Sequence, residues 1–274
     1  MNSALTERLI RFQHPEKVLS YFGGLDDDRI AALFGLELSS YRKIRRSHDE
    51  QARNAAAELL DDHEFAGKVE RLPFTPGQRV VAVGESTTDD LHSWFEILRH
   101  VLDLRRPADG ITLMNMAVSG QTTTQALTTL PGLSFHHPDW VLCMLGTNDA
   151  QRLGSTDGPT LVSIAETERN LRVLRDLVTR RTAARWIWLT PTTVDETCIK
   201  AYQPFRRADI TWANRDIDAI GQIVNAQPDP TVDTRPVSTR KTGEQFHMDD
   251  GLHLSLAGQQ ALTIALVDTL TDQP

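Results

Sequence analysis

The stretch Arg79-Val80-Val81-Ala82-Val83-Gly84-Glu85-Ser86-Thr87-Thr88 decides how the rest of the chain reads. Arg79 to Val83 is a short, β-branched run that stops at a glycine and a cluster of hydroxyl residues. That is how a buried strand ends at a turn. Leu91, Trp94, Phe95, Leu98, Val101 and Leu102 follow at the spacing of one helix face. Strand, hydroxyl-rich turn and helix form the unit from which parallel-sheet proteins are assembled.

The unit recurs downstream. Ile111 to Met116, Trp140 to Leu145 and Trp186 to Thr190 are further strand candidates, and Thr234 to Ser238 is a fifth. The fifth carries Pro236, which confines it to a sheet edge. Leu171, Leu174, Leu177 and Val178 mark one intervening helix, and Ile210, Ile217, Ile220 and Val224 mark another less regularly. A last helix starts near Ser255 and buries Leu262, Leu266 and Leu270. The order predicts an α/β three-layer sandwich, α/β/α, with a parallel sheet of about five strands. Upstream, the turn residues Pro73-Phe74-Thr75-Pro76-Gly77 end a stretch from about residue 4 to 72 that reads as several helices. The expected organisation is therefore a helical N-terminal extension over 1–74 and a sheet domain over 75–274.

Bulk properties narrow the function classes. The 274 residues are 40% hydrophobic and 24% charged, as in an ordinary soluble domain with a normal core. The net charge of −8 argues against a broad nucleic-acid surface. Neither a secretory apolar stretch at the N-terminus nor a membrane-spanning run is legible, so the expected location is cytoplasmic. Two cysteines, Cys143 and Cys198, make neither a disulfide framework nor a zinc site. Cys143 and Trp140, Trp186 and Trp188 lie in strand-like runs and read as core.

Chemistry gathers in the loops after the strands. These are Gly84-Glu85-Ser86-Thr87-Thr88, Ala117-Val118-Ser119-Gly120-Gln121-Thr122 and Gly146-Thr147-Asn148-Asp149, with Asp250-Gly251-Leu252-His253 before the last helix. In a parallel sheet the carboxyl ends of the strands bring such loops to one edge. A serine hydroxyl needs a base to become a nucleophile, and imidazole titrates in the right range. His253 can take the Ser86 proton, and Asp250 can hold the imidazole in one tautomer. The amides of Ser86, Gly120 and the Asn148 side chain can surround a carbonyl oxygen that becomes negative. Losing one such donor costs ~3 kcal/mol of barrier.

At these four blocks the sequence resembles the SGNH, or GDSL, hydrolases over roughly residues 78 to 270. The resemblance places the nucleophile on Ser86, the oxyanion hole on Ser86, Gly120 and Asn148, and the Asp-x-x-His pair on Asp250 and His253. It implies a flavodoxin-like fold, no metal or other cofactor, and a small-molecule ester or thioester substrate, from acetylated sugars to lysophospholipids. One block departs from the family: Gly84-Glu85-Ser86 stands where Gly-Asp-Ser is usual, so the hydrogen bonds around the nucleophile must be rearranged for a longer carboxylate. The Gly-x-Ser-x-Gly elbow of other hydrolases is absent, since Thr88 fills its last position.

Two other readings compete. His247-Met248-Asp249-Asp250-Gly251-Leu252-His253 has metal-ligand residue types, as a metal-dependent phosphoesterase would. Asp28 to Leu36, running on to Tyr41 to Arg46, loosely matches a helix-turn-helix, which would make the chain a DNA-binding regulator with a hydrolase-like sensor domain. The plainer reading of that segment is a helical hairpin that packs on the hydrolase, covers its site or mediates homo-oligomer formation.

Overall fold

The computed structural model describes residues 3–19, 22–154, 156–238 and 245–272. The chain opens with five helices: α1 (Ser3–Phe12), α2 (Pro15–Val18), α3 (Asp27–Leu33), α4 (Leu38–Leu60) and α5 (His63–Glu70). Strand β1 (Arg79–Gly84) follows, then α6 (Ser86–Asp89), α7 (Trp94–Arg105), β2 (Thr112–Asn115), α8 (Thr123–Thr129) and β3 (Trp140–Met144). Next come β4 (Arg152–Leu153), α9 (Ile164–Thr179), β5 (Arg185–Leu189), α10 (Glu196–Ala201), α11 (Gln203–Ala208) and β6 (Ile210–Thr211). The described chain ends with α12 (Asn214–Asn225), β7 (Thr231–Val232), α13 (Arg235–Ser238) and α14 (Leu256–Asp272).

Five strands form one sheet in the order β2-β1-β3-β5-β7, every pair parallel. The chain therefore leaves β1 towards β2 on one side and returns to β3 on the other. That reversal opens a crevice at the carboxyl ends of β1 and β3, where ligands bind in open parallel sheets. Successive side chains of a strand point to opposite faces, and both faces here are covered. Val80, Ala82, Leu142, Met144 and Ile187 pack with residues of α4, α5, α7 and α14. Val81, Val83, Val141, Cys143 and Trp186 pack with α8, α9 and α12. Double coverage explains why the strands read as continuous apolar runs. The expected three-layer α/β/α sandwich is the fold observed.

Three details differ from the sequence reading. The fifth strand is Thr231–Val232, not Thr234 to Ser238, and Arg235–Ser238 is the helical turn α13. Thr234 is drawn out of the ladder because its amide and hydroxyl bond to Thr190, at 2.9 Å to Oγ1 and 2.7 Å to the carbonyl oxygen. Leu91 precedes its expected helix, which begins only after Ser93 caps the Glu96 amide at 3.2 Å. Ile210 lies in β6, which pairs antiparallel with β4 in a separate two-stranded sheet. The last helix starts at Leu256, one residue from expectation, and Leu262, Leu266 and Leu270 are buried. The two cysteines are free, Cys143 fully buried. No helix among the described residues is long and apolar enough to cross a membrane.

The five leading helices attach in two ways. Ala52, Ala55 and Ala56 of α4 and Phe65 and Val69 of α5 are buried in the same cluster as Val80, Trp94 and Leu266 of the sheet domain. Ile10 of α1 joins a smaller cluster with Ile30, Ala31, Phe34 and Tyr41. The expected boundary near residue 74 thus crosses a shared core.

Candidate active site

The first loop is made by Gly84. A side chain there would place Cβ 2.5 Å from Thr88 Oγ1 and 2.9 Å from the Met144 carbonyl oxygen, so glycine alone allows the chain to turn so tightly. Glu85 remains extended, and its carbonyl accepts the amides of Thr88 at 2.9 Å and Asp89 at 2.8 Å to start α6. Thr87, Thr88 and Asp89 are buried, leaving Ser86 as the half-buried hydroxyl of this turn. Asp89 caps nothing in its own helix. Its carboxylate takes the Ser119 amide at 2.8 Å and the Ser119 hydroxyl at 2.9 Å, which ties the second loop to the first.

Gly120 follows Ser119 in a turn closed by the Gln121 amide on the Val118 carbonyl at 3.1 Å. Its φ of 81° requires the left-handed region that glycine enters freely. Gly120 is exposed and lines a cavity. The third loop crosses beside it. Asn148 Nδ2 donates to the Gln121 carbonyl at 3.1 Å and stands 3.5 Å from Glu85 Oε2. The second contact is near the limit for a hydrogen bond, so that proton is only loosely taken. Behind it, Asp149 accepts from the Thr123 amide at 2.9 Å, the Thr123 hydroxyl and the Thr167 hydroxyl at 3.0 Å, which fixes the loop to the start of α8 and to α9.

Glu85 uses its extra methylene here. Its Oε2 lies 3.4 Å from the Gly146 amide and 3.5 Å from the Asn148 amide, bridging the first and third loops. Burial pushes this carboxyl up to about 7, and the charge of Asp149 adds to the rise. The Thr147 hydroxyl and the two amides pull the other way without matching them. Oε1 and the Thr147 hydroxyl are both buried without a hydrogen bond of good geometry among the described residues. The non-standard Glu85 therefore sits as an acid poised near neutrality directly behind Asn148.

The fourth loop is a tight reversal. Gly251 has φ 72°, and a Cβ on it would lie 2.5 Å from the Asp195 carbonyl oxygen. Asp250 is fully buried, and its Oδ1 accepts the amides of Leu252 and His253, both at 2.9 Å. Its Oδ2 lies 2.7 Å from His253 Nδ1. An ionised carboxylate only accepts, so Nδ1 carries the proton and Nε2 is left as the basic nitrogen. Burial alone would raise the Asp250 carboxyl, but His253 and the two amides outweigh it and hold it at about 2. The His253 side chain is 19% exposed. Gln259 of α14 clamps this loop's helix to the first loop, donating to the Thr87 carbonyl at 3.1 Å and accepting from the Trp94 amide at 2.9 Å.

Several residues at this edge were not singled out from the sequence. Arg8 reaches Asp249 at 3.0 Å and bonds Asp250 Oδ2, and the Phe12 ring sits 4.6 Å from the His253 ring. Arg11 grips Asp90 with two bonds of 2.6 Å, and His14 lies 2.7 Å from Asp89 beside Lys17. Arg8, Arg11, His14 and Lys17 are spaced by three residues, a signal that was legible as a basic stripe but named no partner. Of the metal-type residues, His247 faces the Thr193 carbonyl at 2.7 Å while His253 faces Asp250. Among the described residues no group of three or more His, Cys, Asp or Glu is placed to hold a metal ion.

A cavity of about 860 Å³ opens beside Ser119 and Gly120. Val83, Met114, Met116 and Val118 line its apolar part, and Lys17 and His136 stand among its polar groups. His136 is half-buried here, whereas His137 is exposed.

Known proteins share this fold. Solved structures with the same fold include LAE5, an alpha/beta hydrolase enzyme from the metagenome of Lake Arreo, Spain, at 21% identity and a TM-score of 0.55, covering 72% of this chain and 96% of that one. A catalytic mutant of an acetylxylan esterase from Geobacillus stearothermophilus matches at 21% identity and a TM-score of 0.56, covering 72% and 95%. The acetyl xylan esterase AlAXEase matches at 14% identity and 0.54, covering 69% and 97%. At such identities the likeness speaks for the fold. No curated protein matches the chain. The profile of the GDSL-like lipase/acylhydrolase family, however, matches residues 82–261, well over half of the chain and all four loops. On that match the chain belongs to the GDSL-like lipase/acylhydrolase family and is a carboxylic ester hydrolase.

Proposed function

We propose that the chain hydrolyses esters through an acyl-enzyme on Ser86. His253 Nε2 removes the Ser86 proton as Oγ attacks the ester carbonyl, and Asp250 stabilises the imidazolium that forms. The amides of Ser86 and Gly120 and the Asn148 side chain receive the negative oxygen of the tetrahedral intermediate. Its collapse breaks the bond to the alcohol, which leaves with the proton from His253. Water, deprotonated by the same imidazole, then attacks the acyl-serine and releases the acid. The observation that carries this reading is the 2.7 Å contact between His253 Nδ1 and a fully buried Asp250, which leaves Nε2 as the base.

The cavity beside Gly120 supports an ester with a short to medium apolar group on one side, larger than acetyl alone needs. Thioesters with an acyl group of that size share the requirement. Ser86→Ala tests the mechanism. Turnover of a short p-nitrophenyl ester should fall about 10⁴-fold or more, with the far-UV spectrum and melting unchanged, and a fluorophosphonate should label wild-type Ser86 only. Undiminished turnover in the variant would rule the mechanism out. A panel of esters with graded acyl chains then measures what the cavity accepts.

A further inference from the structure

Building on the acyl-enzyme reading, we propose that Arg8, outside the family-matched segment, is a positioning residue for the Asp250–His253 pair, setting both the orientation of the carboxylate and the proton affinity of the imidazole.

The carboxylate of Asp250 receives four donors. Oδ1 takes the amides of Leu252 and His253, and Oδ2 takes His253 Nδ1 and Arg8 Nη2. Arg8 and His253 therefore share one oxygen. The oxygen that pulls on the imidazole is also held by a permanent cation, which always keeps its charge. Arg8 is itself fixed from three sides. Nη1 bonds Asp249 Oδ1 at 3.0 Å, the guanidinium lies over the Tyr202 ring at 5.5 Å, and α1 is anchored by buried Ile10 and by the fork of Arg11 on Asp90. Phe12, one turn along the same helix, lies against the His253 ring and restricts its rotation.

The consequence for the base follows from charge. When His253 takes the Ser86 proton, its imidazolium faces Asp250, whose negative charge is already partly balanced by Arg8. The second positive charge is therefore less welcome, and removing Arg8 would strengthen the hold of the carboxylate on the imidazolium. The other titratable groups around the pair are Asp249 on the same loop, Tyr202 after α10, Cys198 within α10, and His247 before the loop. Arg11 approaches from α1 at the Leu254 carbonyl, 3.5 Å away. Among these, Arg8 is the one that bonds the oxygen shared with His253.

The test titrates the His253 ring by NMR in the full chain, assigned with His253→Gln. In Arg8→Gln the midpoint should rise by about half to one pH unit, and the acidic limb of kcat/KM should move with it. Arg8→Lys, which keeps the charge, should restore most of the wild-type value. A residue that merely seats α1 would lower stability and leave the midpoint alone. An unmoved or lowered midpoint in a folded Arg8→Gln protein overturns the proposal. If that variant loosens α1, Arg8→Met keeps the stem against Tyr202 and is read in the same way. A midpoint that rises while fluorophosphonate fails to label Ser86 would sink the acyl-enzyme reading but leave the Arg8–Asp250–His253 coupling standing.

Discussion

Helices α4 and α1 belong to the same N-terminal extension, yet they are held by opposite physics. α4 presents Ala52, Ala55 and Ala56, nearly devoid of side chain, so that its backbone lies close to α7 within a dry cluster completed by Phe65 and Val69 of α5. α1 and the segment after it meet the catalytic edge through ions, Arg8 on Asp249 and Asp250, Arg11 on Asp90 and Lys17 on Asp89, with the His14 ring hydrogen-bonded to Asp89 beside Lys17. Apolar burial is non-directional and fixes only a mean position. A row of charged hydrogen bonds fixes atoms, and here the atoms it fixes are the carboxylates of the first and fourth loops. The first attachment makes the extension part of the fold. The second makes it part of the site.

The largest test of that contrast removes the apolar anchor. Phe65→Ala should cost about 4 kcal/mol of stability through lost burial and a residual cavity. Chemical denaturation measures it, and the loss should be the same in low and high salt. Arg11→Leu comes next, at about 3 kcal/mol, because Asp90 is fully buried and keeps, among the described residues, only the His92 amide at 2.9 Å and Gln259 at 3.4 Å. The two losses should differ in how they combine. Arg11→Leu and Asp90→Asn should couple by more than about 1 kcal/mol, while Arg11→Leu and Phe65→Ala should add to within about 0.5 kcal/mol. Additivity in the first pair would mean that the charged row contributes nothing specific, and the contrast would collapse.

The sequence made the sheet legible for a physical reason: strands covered on both faces carry uninterrupted apolar runs, and Arg79 to Val83 or Trp140 to Leu145 cannot be placed elsewhere. The four loops were legible too, because a glycine with positive φ at Gly120 and close backbone approach at Gly84 and Gly251 leave little choice of residue. The fifth strand was not. Thr231–Val232 is two residues long, too short for any period, and the longer run beside it was diverted when Thr234 bonded Thr190. Arg8 illustrates a different limit. A basic residue on a polar helix carries no mark of its partner, which lies 242 positions away at Asp250. The same holds for Asp89 and Asp90, whose partners Lys17 and Arg11 are equally remote along the chain.

The smallest effect lies where the two attachments touch. His48 of α4 and His92 stand with Nδ1 and Nε2 2.9 Å apart, and Arg11 lies close by. Burial first, then the charges of Arg11 and His48, hold His92 down at about 4 against the pull of Asp90. The unfolded chain takes up that proton near pH 6.5, so folding is favoured above this value and the contribution is lost as pH falls towards 4. Between pH 7 and 5 the loss is about 2 kcal/mol. Glu85, raised to about 7, acts with the opposite sign: the folded state holds a proton that the unfolded chain releases near pH 4.5, so stability falls from there towards pH 7 and returns on acidification. The two contributions nearly cancel over the same window. Denaturation of wild type and His92→Gln at both pH values separates them, because Glu85 is common to both. The variant should gain about 2 kcal/mol on wild type in going from pH 7 to 5, and equal changes in the two proteins would show that the junction of α4 with the catalytic edge does not exclude a proton.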